Sequence, residues 1–252
     1  MNRVPRLASV VASVVAAGLT AGSVHAGLLI DDFSRNAAGN LDFTGTFADL
    51  GAPTQSLTQA GLDPAFTLGG ERDLFSSYAG SLDGPNGQAG HGLGDSSGFF
   101  QLVNSTAQAG EMATGGITWD GGGALHANFT GNDRFLLNVS FAIADVAPTI
   151  PFSLTVNSLS GSATVTQSAT ATSAGNNPQA LTWRFSDFGG LDFSDVTSLT
   201  LFVSATMSAN EFIGTGFTDF SAVAVPEPEW AAALSALALV GFAVARRRRA
   251  AR

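Results

Sequence analysis

Several acidic side chains in this sequence could coordinate a cation. Asp31 and Asp32 are adjacent, and paired carboxylates with loop carbonyls suit a hard cation such as Ca²⁺. The alternative, a solvated strand edge, is the interpretation we favour for this pair. Asp83, Asn86 and Asp95 lie in a glycine-rich stretch, but their spacing matches neither an EF-hand nor a glycine-rich calcium repeat, which favours roles in turns. Calcium is the one cofactor that these residue types suggest, and no other is expected.

Between residues 27 and 224, the densest charge cluster is Gly69-Gly-Glu-Arg-Asp-Leu74. Because neighbours on a strand alternate between faces, Glu71 and Asp73 should share one side while Arg72 points to the other. Two interpretations stay open. In the first, the arginine is buried among carboxylates and ties two sheets together, or contacts a sugar hydroxyl. In the second, it forms a strand-edge ion pair of little energetic weight.

Potential catalytic groups do not form a recognisable motif. His91 is predicted in a flexible loop and His126 in a strand-like stretch, and neither has a visible serine or acid partner in a motif such as Gly-x-Ser-x-Gly. Asp192 and Asp195 flank Phe193 and are predicted to cap a turn. The chain contains no cysteine, which excludes a disulfide framework, a thiolate metal site and a cysteine nucleophile. We predict that the protein is not an enzyme; the alternative is a pair of carboxylates that meet in the fold and hydrolyse a glycoside.

Apolar residues at a period of two predict that residues 27–224 are almost entirely β-strand. In the clearest segment, one face would carry Phe135, Leu137, Val139, Phe141 and Ile143. Similar segments occupy residues 152–156, 181–185, 199–203 and 212–223, and residues 162–172 are predicted as a Thr/Ser-rich partner strand. Residues 82–95 are predicted as one long loop. Short strands at this spacing predict a mainly β fold, a single antiparallel β-sandwich or jelly roll.

The charge of this segment limits its partners. Eighteen acidic residues accompany four arginines between residues 27 and 224, and the chain contains no lysine, so the segment carries a net charge of −14. A field of this sign repels phosphates, so we expect no nucleic acid and no anionic lipid as a partner. It is compatible with neutral glycans or divalent cations, although solvation alone explains it equally well.

The first 26 residues are predicted to be a signal peptide. Arg3 and Arg6 precede an apolar run over residues 7–21, and Val24-His25-Ala26 places small residues at the two positions that a signal peptidase reads. We therefore expect cleavage between Ala26 and Gly27, and an exported acidic β-sandwich domain over residues 27–224.

The last 28 residues have the composition of a membrane segment. Residues 230–245 are uncharged and would form a helix about 24 Å long, which is short of the roughly 30 Å hydrocarbon core. Two prolines precede this run and favour an extended backbone there. The run is followed by a basic stop that is expected to stay in the cytoplasm, made of Arg246, Arg247, Arg248 and Arg249.

This order of parts resembles the PEP-CTERM sorting signal of Gram-negative bacteria, a short domain also named after the C-terminus of ice-binding proteins. The matching motif is Val225, Pro226, Glu227 and Pro228, followed by the apolar run and the arginines. The resemblance implies that residues 225–252 insert transiently in the inner membrane and that an exosortase recognises the Pro-Glu-Pro segment and removes the tail. The mature form would then reach the cell surface or the extracellular matrix.

Two functions follow from these expectations. The first is a non-catalytic surface or matrix protein associated with exopolysaccharide. The alternative is a secreted carbohydrate-active enzyme or lectin-like protein that uses the same tail for delivery. Carbohydrate binders expose aromatic rings, so burial of Tyr78, Trp119 and Trp183 together would weaken the lectin-like alternative.

Overall fold

The computed structural model describes residues 27–33, 44–49, 53–79, 87–93, 100–106, 112–146, 149–175, 177–206 and 212–224. The backbone of these residues is mainly β-strand, with 3₁₀ turns at Leu68–Gly70 and Phe185–Phe188. In chain order the strands are β1 Leu28–Asp31, β2 Thr44–Asp49, β3 Thr54–Ala60, β4 Glu71–Ala79, β5 Gly87–Leu93, β6 Phe100–Thr106, β7 Met112–Trp119, β8 Arg134–Ala144, β9 Thr149–Ser158, β10 Gly161–Thr170, β11 Gln179–Arg184, β12 Val196–Thr206 and β13 Phe212–Val223.

These strands form two antiparallel sheets. The first sheet has the order β11-β8-β13-β6-β5-β2, and β1 also pairs with β13. The second sheet has the order β10-β9-β12-β7-β4-β3. The prediction of a mainly β sandwich is therefore confirmed.

The core lies between the inward faces of the two sheets. Strands β9 and β12 bury alternate residues, as their period-two pattern predicts, and removal of each such side chain from water contributes about 1.5–3 kcal/mol. The buried sets are Phe152, Leu154, Val156, Leu199, Leu201 and Val203.

Phenylalanines fill one part of this core around Phe135. Its ring centroid lies 5.3 Å from that of Phe129 and 5.8 Å from that of Phe220. Phe185 and Phe193 stack beside it with their planes 6° from parallel. Phe185 was expected on an inward strand face, but it begins the 3₁₀ turn after β11.

A β-bulge changes which residues of β8 face the core. Gly216 pairs with Phe141 and Phe217 with Val139, so Ser140 is the additional residue. Beyond the bulge Ala142 and Ala144 are buried, while Phe141 is half-buried on the outer side. The prediction that Phe141 and Ile143 continue the inward face is therefore wrong. Gly216 permits this arrangement, because a Cβ there would overlap the Phe141 ring.

The predicted loop over residues 82–95 contains a strand. Gly87–Leu93 forms β5, which pairs with β6 along its full length and with β2 over residues 88–93. Strand pairing uses backbone groups, which glycine also provides. The glycine-rich β5 therefore has no hydrophobic alternation from which a strand could have been predicted. Asp83, Asn86 and Asp95 lie outside the described residues.

The segments predicted as signal peptide and sorting tail, residues 1–26 and 225–252, also lie outside the described residues. Within the part of the chain that the structure describes, no helix has the length and apolar character required to cross a bilayer.

Candidate functional site

A buried ion pair joins the two sheets. Asp31 ends β1 of the first sheet, and Arg72 lies in β4 of the second. Arg72 Nη1 donates to both carboxylate oxygens of Asp31 at 2.7 Å, and both side chains are completely buried. The predicted alternation of β4 is confirmed, since Arg72 points inward while Glu71 and Asp73 are half-exposed on the outer side.

Further donors surround the Asp31 carboxylate. Trp119 Nε1 donates to Oδ2 at 2.9 Å, and the amide of Phe33 donates to Oδ1 at 2.8 Å. Arg72 Nε in turn donates to Gln59 Oε1 at 2.7 Å. Burial raises the pKa of the Asp31 carboxyl above its ordinary value, and the charge of Arg72 and the surrounding donors oppose that change.

These contacts decide between the sequence-based interpretations. Asp31 is completely buried rather than at a solvated strand edge, and its oxygens accept hydrogen bonds from Arg72 and Trp119. Of the two interpretations of the charge cluster, the structure supports a buried arginine that ties the sheets together. Its partner is Asp31 rather than either neighbouring acid.

Three other carboxylates meet on the outer side of the second sheet. Ligand oxygens of Glu71, Asp73 and Asp120 all lie within 4.8 Å of one another, and each residue is half-buried. We call this group the acidic corner. Asp120 follows β7 and accepts a hydrogen bond from the Gly122 amide at 3.1 Å. Carboxylates at this separation could bind a divalent cation.

The register of the second sheet aligns polar side chains, five threonines and one aspartate, across all six strands. The partners at one level form a line that we call the transverse row: Thr58, Asp73, Thr118, Thr200, Thr155 and Thr164, on β3, β4, β7, β12, β9 and β10. Hydrogen bonds join its members in pairs, at 2.5 Å for Thr58–Asp73, 3.0 Å for Thr118–Thr200 and 2.8 Å for Thr155–Thr164. Each hydroxyl offers one donor and two acceptor positions, so every threonine keeps capacity for a further partner.

Two phenylalanines lie in the next level of the same face. Phe75 on β4 and Phe202 on β12 are both half-exposed, and both pair with Gly116 on β7. Their ring centroids are 5.9 Å apart and their planes are 24° from parallel. A Cβ at Gly116 would overlap the Phe75 ring, so glycine is what lets the ring lie across β7. We call Phe75 and Phe202 the phenylalanine platform.

The aromatic residues selected from the sequence are not surface residues. Trp119 and Trp183 are fully buried and Tyr78 is nearly so, which removes all three as sugar-stacking rings and, as expected for this outcome, weakens a lectin-like function that depends on them. The phenylalanine platform was missed, because its rings face outward in strands whose alternation was used only to find the core. The feature of the sequence that could have indicated the platform is a phenylalanine at an outward strand position, with a glycine in a neighbouring strand.

The remaining predicted polar groups are dispersed. Asp192 Oδ1 accepts a hydrogen bond from the Ser194 amide at 2.8 Å, a turn contact of the kind predicted, and this bond lowers the pKa of Asp192. His126 Nδ1 lies 2.9 Å from Asp195 Oδ1 on the surface, in a loop rather than in a strand. His91 lies in β5 rather than in a loop.

No family model and no curated protein matches this sequence. Among solved structures, the fold is similar to the family 11 carbohydrate-binding module of the cellulase Lic26A-Cel5E of Clostridium thermocellum. The sequence identity is 12%, the TM-score is 0.38, and the alignment covers 80% of this chain and 96% of that module. A family 30 carbohydrate-binding module of Cel9D-Cel44B from the same organism gives 10% identity and a TM-score of 0.36, with 73% of this chain and 94% of that module covered.

An exo-β-agarase is similar over part of its length. It gives 10% identity and a TM-score of 0.40, and the alignment covers 80% of this chain but 25% of the agarase. Similarity at this level concerns the arrangement of strands and transfers neither ligand nor activity to this chain.

Proposed function

We propose that this chain is a non-catalytic, exported protein of the cell surface or extracellular matrix that binds carbohydrate through the outer face of its second sheet. The observation that carries the proposal is the phenylalanine platform beside the transverse row. Half-exposed rings can contact the apolar face of a sugar while adjacent hydroxyls exchange hydrogen bonds with its polar rim.

Removal of the platform rings tests this function. Phe75→Leu and Phe202→Leu keep apolar packing but remove the aromatic faces, and we expect each to weaken glycan binding at least about fivefold, equivalent to about 1 kcal/mol. Isothermal titration calorimetry against neutral polysaccharides gives the affinities. Phe141→Leu is the matched control, because Phe141 is a half-buried ring over Gly216 on the first sheet.

Equal glycan affinity of the platform variants and the wild type would show that the binding face lies elsewhere on the protein. A folded wild-type protein that binds no polysaccharide would contradict the function itself.

Delivery by the C-terminal segment is the second part of the proposal. It is supported by the sequence order of Pro226-Glu-Pro228, the apolar run and the four arginines. We expect the exported protein to lack residues after the Pro-Glu-Pro segment in a host that contains an exosortase, and to retain them in a host without it. Intact-mass measurement of both forms decides; a retained tail in both hosts would make the segment a membrane anchor instead.

The acidic corner supports a second candidate, a glycoside hydrolase. Its carboxylate oxygens lie within 4.8 Å of one another, close to the separation of about 5–5.5 Å between the two carboxyl groups of a retaining enzyme. Release of reducing ends from bound polysaccharide, lost in Glu71→Gln and Asp120→Asn, would favour hydrolysis over binding alone.

A further inference from the structure

We infer that the glycan held on the outer face of the second sheet is a linear, uncharged chain that lies across the strands, along the transverse row. This inference rests on the proposed carbohydrate-binding function and specifies its ligand. Three features of the described residues support it: the register of the row, the direction of the phenylalanine platform and the distribution of charge.

The register of the second sheet aligns the polar groups of its outer face across the strands. Strands lie about 4.8 Å apart, so the row from Thr58 to Thr164 places a hydrogen-bonding group at every step over about 24 Å. On β12 the outward groups change in character along the strand, since Ser198 and Thr200 are followed by Phe202. On β10 the outward groups from Ser162 to Thr170 are all hydroxyls, but that line is confined to the edge strand. The transverse row is the line of polar groups that extends over all six strands and passes beside the phenylalanine platform.

The platform has the same direction as the row. Phe75 and Phe202 belong to strands on either side of β7, with ring centroids 5.9 Å apart and the Phe75 ring over Gly116. The platform lies one outward position further along the strands, about 7 Å from the row. A chain placed between them can contact hydroxyls along one edge and rings along the other. If one sugar unit spans each step between strands, the row accommodates about five units.

The acidic charge of the protein favours an uncharged glycan as the ligand. The five threonines of the row are uncharged, whereas Asp73 belongs to the acidic corner at the β3–β4 end. The segment over residues 27–224 carries a net charge of −14 and contains no lysine. Uronate groups on a ligand would therefore be repelled by Glu71, Asp73 and Asp120, most strongly at low ionic strength.

Oligosaccharide length and row variants test the inference on the protein purified as its host exports it. We expect the affinity for a neutral linear glucan to rise with length up to about five units and then to level. The double variant Thr118→Val/Thr200→Val removes two row hydroxyls but keeps β-branched side chains, and we expect at least a tenfold loss of affinity. Thr182→Val, half-buried on β11 of the first sheet, is the matched control and should bind within twofold of the wild type.

A uronate-containing chain of matched length tests the charge argument. We expect it to bind at least tenfold more weakly than the neutral chain at about 0.01 M salt, with a smaller difference at about 1 M salt. Glu71→Gln/Asp120→Asn should reduce the difference at low salt, because it removes two of the three charges that repel the uronates. Equal binding of both chains at low salt would overturn the choice of a neutral ligand.

The outcomes separate this inference from the function beneath it. If Thr118→Val/Thr200→Val leaves the glycan affinity unchanged, or if the affinity stops rising at two or three sugar units, the proposed position and direction of the glycan chain are wrong. The carbohydrate-binding function would still stand. A folded wild-type protein that binds no glycan of any length overturns both. Thermal unfolding of each variant establishes that it is folded before it is titrated.

Discussion

Arg72 Nη1 and the carboxylate of Asp31 form an ion pair at 2.7 Å between the two sheets, with both side chains fully buried. Loss of one partner leaves the other charge buried and uncompensated. We expect Asp31→Asn or Arg72→Met to lower the free energy of unfolding by about 3–5 kcal/mol, measured by urea denaturation. Arg134→Met, which removes a surface pair with Asp133, should cost less than about 1 kcal/mol.

The apolar double variant Asp31→Leu/Arg72→Met distinguishes pairing from packing. It removes both charges, so it should be more stable than either single variant. Additive losses in the double variant would show that the two side chains do not act as a pair.

Gly116 is required by the ring that covers it. Its added Cβ in Gly116→Ala would overlap the Phe75 ring and lie 2.5 Å from the Leu201 carbonyl oxygen, so the ring and backbone must shift. We expect a loss of about 1–3 kcal/mol in unfolding free energy. Ser56→Ala, an exposed change at the same level of the sheet, should stay within about 0.5 kcal/mol. Phe75→Ala in the Gly116→Ala background should recover part of the loss, and failure to do so would place the strain in the backbone alone.

The hydrogen bond from the Ser194 amide, followed by that from the Ser194 side chain, lowers the pKa of Asp192 in the folded protein. A lowered folded pKa means that this group stabilises the fold above its unfolded pKa. That contribution decreases as the pH falls through the folded pKa. We expect an NMR titration of the carboxyl carbon to give a midpoint below the ordinary aspartate value, and Ser194→Ala to raise that midpoint. An unchanged midpoint in Ser194→Ala would assign the shift to the backbone amide alone.

Side chains from neighbouring segments cover part of the edge strand β10. Gln179 accepts from the Thr170 amide and donates to the Thr170 carbonyl, both at 2.8 Å, and Trp183 Nε1 donates to the Val165 carbonyl at 3.0 Å. Exposed strand edges pair with other chains, so Gln179→Ala should increase concentration-dependent self-association in light scattering. Gln55→Ala, exposed on β3, is the control; equal association by both variants would contradict a protective role for Gln179.

Alternation within single strands could be predicted, and relations between distant strands could not. The opposite directions of Arg72 and Glu71 follow from neighbouring positions in β4. The partner of Arg72 is 41 residues away in the sequence, and no pattern around Asp31 indicates it. The bulge at Ser140 similarly depends on the register with β13, so the inward face of β8 was predicted correctly only as far as Val139.

The candidate site was hidden for the same reason. Each threonine of the transverse row is unremarkable within its own strand, and five strand pairings are required to align them. The acidic corner likewise combines β4 with the residue after β7. Composition was compatible with a neutral-glycan or cation partner without requiring one, and the position of a binding face depended on registers that the sequence does not specify.

The position of β13 determines when the sandwich can be completed. This last strand lies between β8 and β6 and also holds β1, the first strand, so the centre of the first sheet comes from the end of the domain. A ribosome releases the chain from its amino end. Until residues 212–223 emerge, β8 and β1 lack the strand with which both pair. Contacts of this sequence separation also slow folding, so the first sheet is completed only after nearly the whole domain has been synthesised.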